Sequence, residues 1–548
     1  MHFKRTTVVA VLVVMLVLVA AACQTQDREP RAEPTPTPVR GGTLVAALSA
    51  EPAHLNPAIT TAGEIHAASE ILYNGLLQLN ENGEPEPDLA ASLPTIEEGG
   101  AVYRFTLNDG VTWHDGQPFT SADVKFTFEE VLLKFHARTS ASMQPALQAI
   151  ETPDDRTVIF RFKQPYAPLL QQLDVTEAPI LPKHIYEGSD PLTNPANIKP
   201  IGTGAFKFVS LTQGNEIRYE RNPNYFKDGL PYLDGLVMKI VPDSSARVLS
   251  LENGDADWVG DTPGVDVARL EQDPRIETAE TNWNPGGSNC IMTITFNLDR
   301  PIFKDLRFRQ AFASGLDRKQ FLDQILFGQG LVADAPISSG IPWAHADGLT
   351  IPGFDKTKAE SLLDEAGWKK EGDGARVARG VSGVPDGTKL SFGFLHFPTF
   401  AKYGELVRAQ LGDIGIDVVQ QPLDPAPFRD QVFVKDDFDS AIISYCNGPD
   451  PEIGVRRMFH SSQIGSVPFT NASHFSNPEV DSLFDEAGRE VDLTKRGQLY
   501  RQIQEIAVAS LPYVWVVETT AVRSYAATCG GFSIHNGLFA EAASCQKE

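Results

Sequence analysis

Strands and helices alternate along the second half of the chain, and this order restricts the fold more than any other sequence feature. Short apolar segments at 390–395, 417–420 and 440–444 are predicted strands. The segments 356–366 and 494–510 carry apolar residues at helical spacing and are predicted helices. Such alternation is typical of α/β domains, in which helices cover a sheet.

Capping residues mark where several helices begin. Asp355 precedes one helix, and Asn477 precedes another whose first residue is Pro478. In the first half, Thr120 or Ser121 can cap a helix that has an aspartate in its first turn. These positions therefore predict three helix starts.

The first half of the chain is richer in predicted strands. One helix is predicted at 64–77, and the glycine- and aspartate-rich segment 371–387 of the second half is predicted to be a surface insertion. A chain of 548 residues is too long for one compact core, so we expect two or three domains. The predicted strands of this half are 43–48, 102–107, 157–162, 206–211, 216–220 and 237–241.

The N-terminus has the features of an export signal. Lys4 and Arg5 form a short basic region, and the apolar run that follows, at 6–22, ends in small residues. At about 17 residues this run is at the lower limit for a membrane span, whereas its small-residue end is typical of a cleaved signal peptide. We therefore predict a signal peptide at 1–22 and an extracytoplasmic location, in the periplasm or on the cell membrane.

The signal peptide ends at a cysteine in a sequence that resembles a bacterial lipobox. Val19, three alanines and Cys23 form this box, with Ala20 where leucine is common. Cys23 is thus the predicted site of a lipid anchor, and an ordinary signal peptide that ends near a cysteine is the alternative. The segment 23–40 has four prolines and no apolar periodicity, as expected for a solvated tether.

The number of cysteines agrees with export. The chain has five, and if Cys23 carries a lipid an even set remains in a compartment that permits disulfides. Free buried thiols are the alternative, and the absence of any C-x-x-C motif argues against a metal site. The remaining cysteines are Cys290, Cys446, Cys529 and Cys545.

Charge and motifs exclude several classes of function. The chain has 71 acidic and 47 basic residues, a net charge of −24, which disfavours nucleic-acid binding. It contains no zinc-protease, nucleophile-elbow, Walker or dinucleotide-binding motif, and its 11 histidines lack ligand spacing. We therefore expect no metal, no cofactor and no enzymatic activity.

A long motif at 103–124 contains Trp113-His114-Asp115-Gly116, and shorter motifs occur from about residue 41 to the C-terminus. Together and in this order, they resemble the family-five extracytoplasmic solute-binding proteins, the dipeptide-, oligopeptide- and nickel-binding receptors of ABC importers. The shorter motifs are 41–44, 55–57, 202–206, 222–225, 254–257, 305–311 and 359–368.

The resemblance implies an α/β fold of the periplasmic-binding-protein type II, with two lobes, a hinge between them and an extra inserted domain. The inserted domain would span 75–178, and lobe two would span 290–516. A ligand that touches both lobes would favour the closed state, which a permease recognises. Lobe one would be discontinuous, comprising 41–74, 179–289 and 517–548.

The resemblance also implies how the cysteines pair. Cys290 and Cys446 match two cysteines that form a disulfide in oligopeptide-binding relatives. Cys529 and Cys545 would then form the second disulfide, across a loop of about 16 residues.

One segment of lobe two matches the part of the cleft that pairs with the ligand backbone. It comprises Tyr445, Cys446, Asn447 and Gly448. Relatives place an aspartate for the ligand's α-ammonium where this chain has Gly448, which weakens the case for a free peptide N-terminus. Asp450 is a candidate replacement, and a turn at Asp450-Pro451 is the alternative.

Further candidate ligand contacts are aromatic or cationic. The aromatic side chains can stack on a ligand, with core packing as the alternative, and the arginines can bind a carboxylate or phosphate, with a solvated helix face as the alternative. These candidates are Trp258, Trp283, Trp515, Arg456 and Arg457.

The predicted function is that of a monomeric receptor that delivers peptides or similar small polar solutes to an ABC permease. An oligosaccharide, an opine-like conjugate or a metal chelate is the alternative ligand. An anchored extracellular hydrolase, or an adhesion or chaperone lipoprotein, is the alternative from another class.

Overall fold

A computed structural model describes residues 38–81, 83–281, 289–372, 374–465, 468–533 and 539–546. The predicted signal peptide and Cys23 lie outside these residues. None of the helices within the described ranges is both long and apolar enough to cross a membrane.

The first sheet gathers distant parts of the chain. Its strand Thr43–Leu48 is parallel to Gly235–Ile240 on one side and to Trp258–Val259 on the other, and Ala521–Ala526 joins from near the C-terminus. We call the part built on this sheet lobe one. In sheet order the seven strands are Ile276–Thr281, Ala521–Ala526, Trp258–Val259, Thr43–Leu48, Gly235–Ile240, Glu216–Arg221 and Phe206–Thr212.

The second sheet has four strands. In the sequence, these strands fall between the first two strands of lobe one, Thr43–Leu48 and Phe206–Thr212. All of its pairs are antiparallel. The helices Ser121–Phe126 and Ala137–Ala146 belong to the same segment, which we call the inserted domain. Its strands in sheet order are Thr95–Glu97, Val102–Thr106, Thr157–Phe162 and Leu147–Asp154.

The third sheet forms lobe two. Its strand Cys290–Phe296 is buried at every position and pairs antiparallel with both Ser440–Cys446 and Tyr513–Thr519. Helices cover this sheet, as the alternation in sequence predicts. In sheet order the six strands are Leu331–Val332, Tyr513–Thr519, Cys290–Phe296, Ser440–Cys446, Ser391–His396 and Asp417–Pro422.

The remaining elements complete the three parts. Short two-stranded sheets pair Leu77–Leu79 with Pro85–Pro87, Trp368–Lys369 with Val377–Ala378, and Cys529–Gly530 with Ser544–Cys545. The longer helices outside the inserted domain are Gly63–Ser69, Ser244–Glu252, Gly264–Leu270, Leu306–Ser314, Arg318–Ile325, Lys356–Glu365, Ala401–Asp413, Pro478–Ala487 and Leu493–Ser510.

The predicted helix starts are confirmed. Asp355 caps Lys356–Glu365 through the Lys358 amide, and Asn477 caps Pro478–Ala487. Thr120 and Asp123 form a reciprocal capping box at the third start.

Two sequence expectations are wrong. The helix predicted at 64–77 ends at Ser69, followed by one 3-10 turn, because the Leu72 carbonyl accepts from the Gly204 amide at 2.9 Å. The segment 371–387 is more than a surface insertion. It contributes a strand, and its Arg376 is buried and donates to the Trp368 and Ile414 carbonyls.

Both expected disulfides are present. Cys290 and Cys446 lie directly opposite each other in adjacent antiparallel strands, as do Cys529 and Cys545. The first closes a loop with a sequence separation of 156 residues. Such a loop corresponds to about 4–5 kcal/mol of stabilisation in the chain-entropy model.

Candidate ligand-binding site

Lobe one contains a cavity of about 340 Å³ at the ends of its central parallel strands. The chain just after Thr43–Leu48 and just after Trp258–Val259 forms its walls, together with the first turns of Gly63–Ser69. Ligands of α/β proteins bind beyond the carboxyl ends of parallel strands, so this cavity is the leading candidate.

Aromatic rings form one wall of the cavity. The Trp258 ring centroid lies 5.2 Å from that of Phe539 and 4.5 Å from that of Phe532. The Arg523 guanidinium lies over the Trp258 ring, 6.0 Å from its centroid. Trp258, predicted as a ligand contact, therefore lines the cavity together with Phe539 and Arg523.

Arg523 connects this cavity to a group of buried charges. Burial lowers the pKa of Arg523 to about 10, and nearby Glu70 acts in the opposite direction. Glu70 Oε1 lies 2.7 Å from His66 Nδ1, while His66 Nε2 lies 3.0 Å from the Thr60 carbonyl oxygen. Because a carbonyl only accepts, Nε2 is the donor to Thr60, and His66 thus connects this carbonyl to Glu70.

The inserted domain contributes a buried ion pair and a buried acid. Arg138 Nε lies 2.7 Å from Glu177 Oε1, and the Glu177 amide donates to Asp174 Oδ1 at 3.0 Å. Burial, reinforced by the charges of Glu177 and Glu70, raises the pKa of Asp174 well above its ordinary value. The carboxylate that pairs with Arg138 is therefore that of Glu177.

Lobe two contributes Arg457 and Asn447. Arg457 donates through Nε to the Gly454 carbonyl and through Nη2 to the Cys446 carbonyl, both at 3.1 Å. Burial lowers the pKa of Arg457, and of the inserted-domain charges Arg138 lowers it further while Glu177 raises it. Arg457 is therefore within electrostatic range of the inserted domain.

Three other predicted contacts pack inside lobe two. The Tyr445 hydroxyl donates to the Thr470 carbonyl, and Trp515 is fully buried in the core. Arg456 pairs with Asp485 at 2.7 Å and with Glu452 at 3.2 Å. Core packing and ion pairing thus replace the ligand contacts that we predicted for these three residues.

Asp450 also has a partner within lobe two. Its carboxylate accepts from Arg496 Nη1 at 2.7 Å and from Nη2 at 2.9 Å, and it caps the helix Pro451–Gly454 through the Glu452 amide. Because Arg496 donates to both oxygens, we do not retain Asp450 as an ammonium anchor. Gly448 has a φ of +67°, a left-handed conformation that favours glycine. Trp283, the last candidate, lies outside the described residues.

Sequence reasoning missed five charged residues of this site. Four of them are buried, and the signal was a charge within a largely apolar segment, because such a charge is buried only when it has a partner or a ligand. These four are Glu70, Asp174, Glu177 and Arg523, and the fifth is Arg138, which is 21% exposed and pairs with Glu177.

The inserted domain and lobe two are in direct contact beside these charges. The Ala167 amide donates to the Gly488 carbonyl at 3.0 Å, and the helix Pro451–Gly454 contacts the helix Ala137–Ala146. Gly100 faces Val491 across the same boundary, and a Cβ at Gly100 would overlap Val491 Cγ1. Site residues from the inserted domain and from lobe two are thus held close together.

The model of the bacterial extracellular solute-binding proteins, family 5, matches residues 84–466. The chain belongs to this family. It is 31% identical to the oligopeptide-binding protein AppA of Bacillus subtilis over 493 residues, 87% of this chain and 86% of AppA. The fold class predicted from sequence and the receptor function are therefore confirmed, since members of the family are binding proteins of ABC importers.

Solved structures agree with this assignment. AppA from Bacillus subtilis in complex with a nonapeptide has a TM-score of 0.74 at 28% identity, covering 93% of this chain and 100% of AppA. NikZ from Campylobacter jejuni in complex with Ni(L-His) has a TM-score of 0.73 at 25% identity, covering 90% of this chain and 97% of NikZ.

The Asp450–Arg496 pair yields a stability prediction. Replacement of Asp450 by alanine leaves the Arg496 charge buried without its counter-ion, so we expect a loss of about 3–5 kcal/mol of unfolding free energy. Urea denaturation measures this loss. Asp485→Ala is the control, because Asp485 is 44% exposed and its loss should cost at most about 1 kcal/mol. Equal losses for the two variants would contradict a structural role for Asp450.

Proposed function

We propose that this receptor binds a peptide or a peptide-like polar solute and delivers it unchanged to the permease of an ABC importer. The observation that carries the proposal is the lobe-one cavity, whose aromatic wall adjoins buried charges of both signs. Buried charges are costly unless they are paired, so a ligand with charges of its own suits the site better than a neutral sugar. The nonapeptide bound to the relative AppA supports the same choice.

We also propose that the lobes close around the ligand by rotation about two crossings of the chain. One crossing is at Thr520, between Tyr513–Thr519 of lobe two and Ala521–Ala526 of lobe one. The other lies between 281 and 289, outside the described residues. The domain limits proposed are 41–74, 179–289 and 520–548 for lobe one, 75–178 for the inserted domain and 290–519 for lobe two. The sequence expectation placed the last boundary between 516 and 517, inside the strand Tyr513–Thr519, which pairs along its whole length in the lobe-two sheet.

The proposed receptor acts as a monomer that is held at the membrane through a lipid on Cys23. Lobe one, the inserted domain and lobe two of one chain supply all the side chains of the candidate site. The proline-containing tether 23–40 would keep this folded part above the membrane surface.

Thermal unfolding with candidate solutes tests the ligand class. We expect peptides to raise Tm, because a ligand at a hundredfold excess over Kd adds about 2.7 kcal/mol to the folded state. Oligosaccharides and nickel–histidine are the comparison solutes and should have smaller effects. Mass spectrometry should recover the peptide intact, and cleavage of the peptide, or no shift with any peptide, would contradict the proposal.

Adjacent glycines of the inserted domain test closure. Gly100→Ala should weaken peptide binding about tenfold, since the new Cβ overlaps Val491 of lobe two and opposes the closed state. Gly99→Ala is the matched control, because Gly99 also has a positive φ but a Cβ there meets nothing within 4 Å. Val491→Ala should restore binding in the Gly100→Ala background. Equal weakening by both glycine variants, measured by calorimetry, would argue against closure at this contact.

Labelling of cells with a radioactive fatty acid tests the anchor. The wild-type protein should incorporate label and sediment with membranes, whereas Cys23→Ser should do neither. Label retained in Cys23→Ser would exclude Cys23 as the attachment residue.

A further inference from the structure

Arg457 of lobe two is a half-buried cation that forms no ion pair with a carboxylate in the described part of the chain. Its hydrogen bonds go to the carbonyls of Gly454 and Cys446, which carry no net charge. The neighbouring Arg456 differs, because it has two carboxylate partners. A half-buried guanidinium that donates only to carbonyls is suited to bind an anion.

Asn447 supplies a donor beside this guanidinium. It directly follows Cys446, the acceptor of Arg457, and Gly454 packs so closely on it that a Cβ at Gly454 would overlap the Asn447 carbonyl. Asn447 is fully buried, and its Oδ1 accepts from the Ser338 amide at 2.6 Å. Among the described residues, its Nδ2 has no hydrogen-bond partner. This donor is available to a bound group.

Arg138 approaches the same place from the inserted domain. It lies in the first turn of the helix Ala137–Ala146, which contacts the helix Pro451–Gly454 just before Arg457. Within the described ranges its Nη2 is buried without a hydrogen-bond partner, although Nε is close to Glu177. We call Arg138, Asn447 and Arg457 the arginine corner.

The ion pairs at the arginine corner leave one guanidinium unmatched. Arg138 Nε lies 2.7 Å from Glu177 Oε1, whereas Arg457 donates only to carbonyls and forms no ion pair with a described carboxylate. A single anionic group of the ligand would supply the missing partner.

We propose that the arginine corner binds a carboxylate of the ligand, that of a peptide C-terminus, between lobe two and the inserted domain. A carboxylate is planar and has two oxygens, which match the forked donors of arginine. Because the bound group would touch both sides of the boundary, it would favour the closed arrangement. This inference rests on the proposed function and adds the ligand group that sets selectivity.

Calorimetry on the mature protein tests the proposal with three random tetrapeptide pools. The first has free C-termini, the second is amidated and lacks acidic residues, and the third is amidated but contains one glutamate. The free-acid pool should bind at least about tenfold more tightly than the second pool. Binding of the third pool as tight as the first would assign the corner to side-chain carboxylates and overturn the C-terminal assignment.

Variants of neighbouring arginines connect this preference to the corner. Arg457→Gln should reduce the preference for free acid to within about twofold, whereas Arg456→Gln should keep it even if stability falls. Glu177→Gln should tighten binding of the free-acid pool, since it removes the competing negative charge. This sign is opposite to that expected if Glu177 bound a ligand cation.

The outcomes separate this inference from the proposed function. Tight binding of the free-acid and amidated pools without preference would overturn the arginine corner and leave peptide binding intact. An unchanged preference in Arg457→Gln would do the same. If no pool binds, the peptide proposal fails, and the corner fails with it.

Discussion

The antiparallel pairing of Cys290–Phe296 with its two neighbouring strands positions everything that lobe two contributes to the site. The register places Cys290 opposite both Cys446 and Thr519, and the disulfide fixes the first of these pairs. Asn447 directly follows Cys446, and Thr520 directly follows Thr519. Both therefore lie at the same end of these strands. A one-residue slip would separate Cys290 from Cys446, so the disulfide holds the register that positions these strand ends.

Two arginines of lobe two have different partners, and these partners distinguish a structural role from ligand binding. Arg496 is buried and donates through both terminal nitrogens to the Asp450 carboxylate, which makes a structural ion pair. Arg457 is half-buried and donates only to carbonyls, while Arg138 and Glu177 of the inserted domain act on its pKa in opposite directions. Because Arg457 has no ion-pair partner among the described residues, a ligand carboxylate could pair with it.

Local signals in the sequence predicted much of the fold, including the capped helices and the buried strands. They could not decide whether Tyr445 and Trp515 face a ligand or the core, since an apolar strand buried on both faces has no alternation. They also gave Asp450 two roles, because its partner Arg496 lies 46 residues away. Arg138 and Glu177 were missed for the same reason, since their pair joins distant positions of the inserted domain.

The glycine at position 448 acquires a physical meaning from this arrangement. The family resemblance implies an ammonium-binding aspartate at this position, whereas lobe two of this chain has Asn447 beside it and Arg457 in the helix Arg456–Phe459. The negative charges lie instead in lobe one and the inserted domain, at Glu70 and Glu177. The positive charge of lobe two and the negative charges of the other domains would therefore orient a ligand that is charged at both ends. A ligand bound in the reverse direction would place like charges together at both ends.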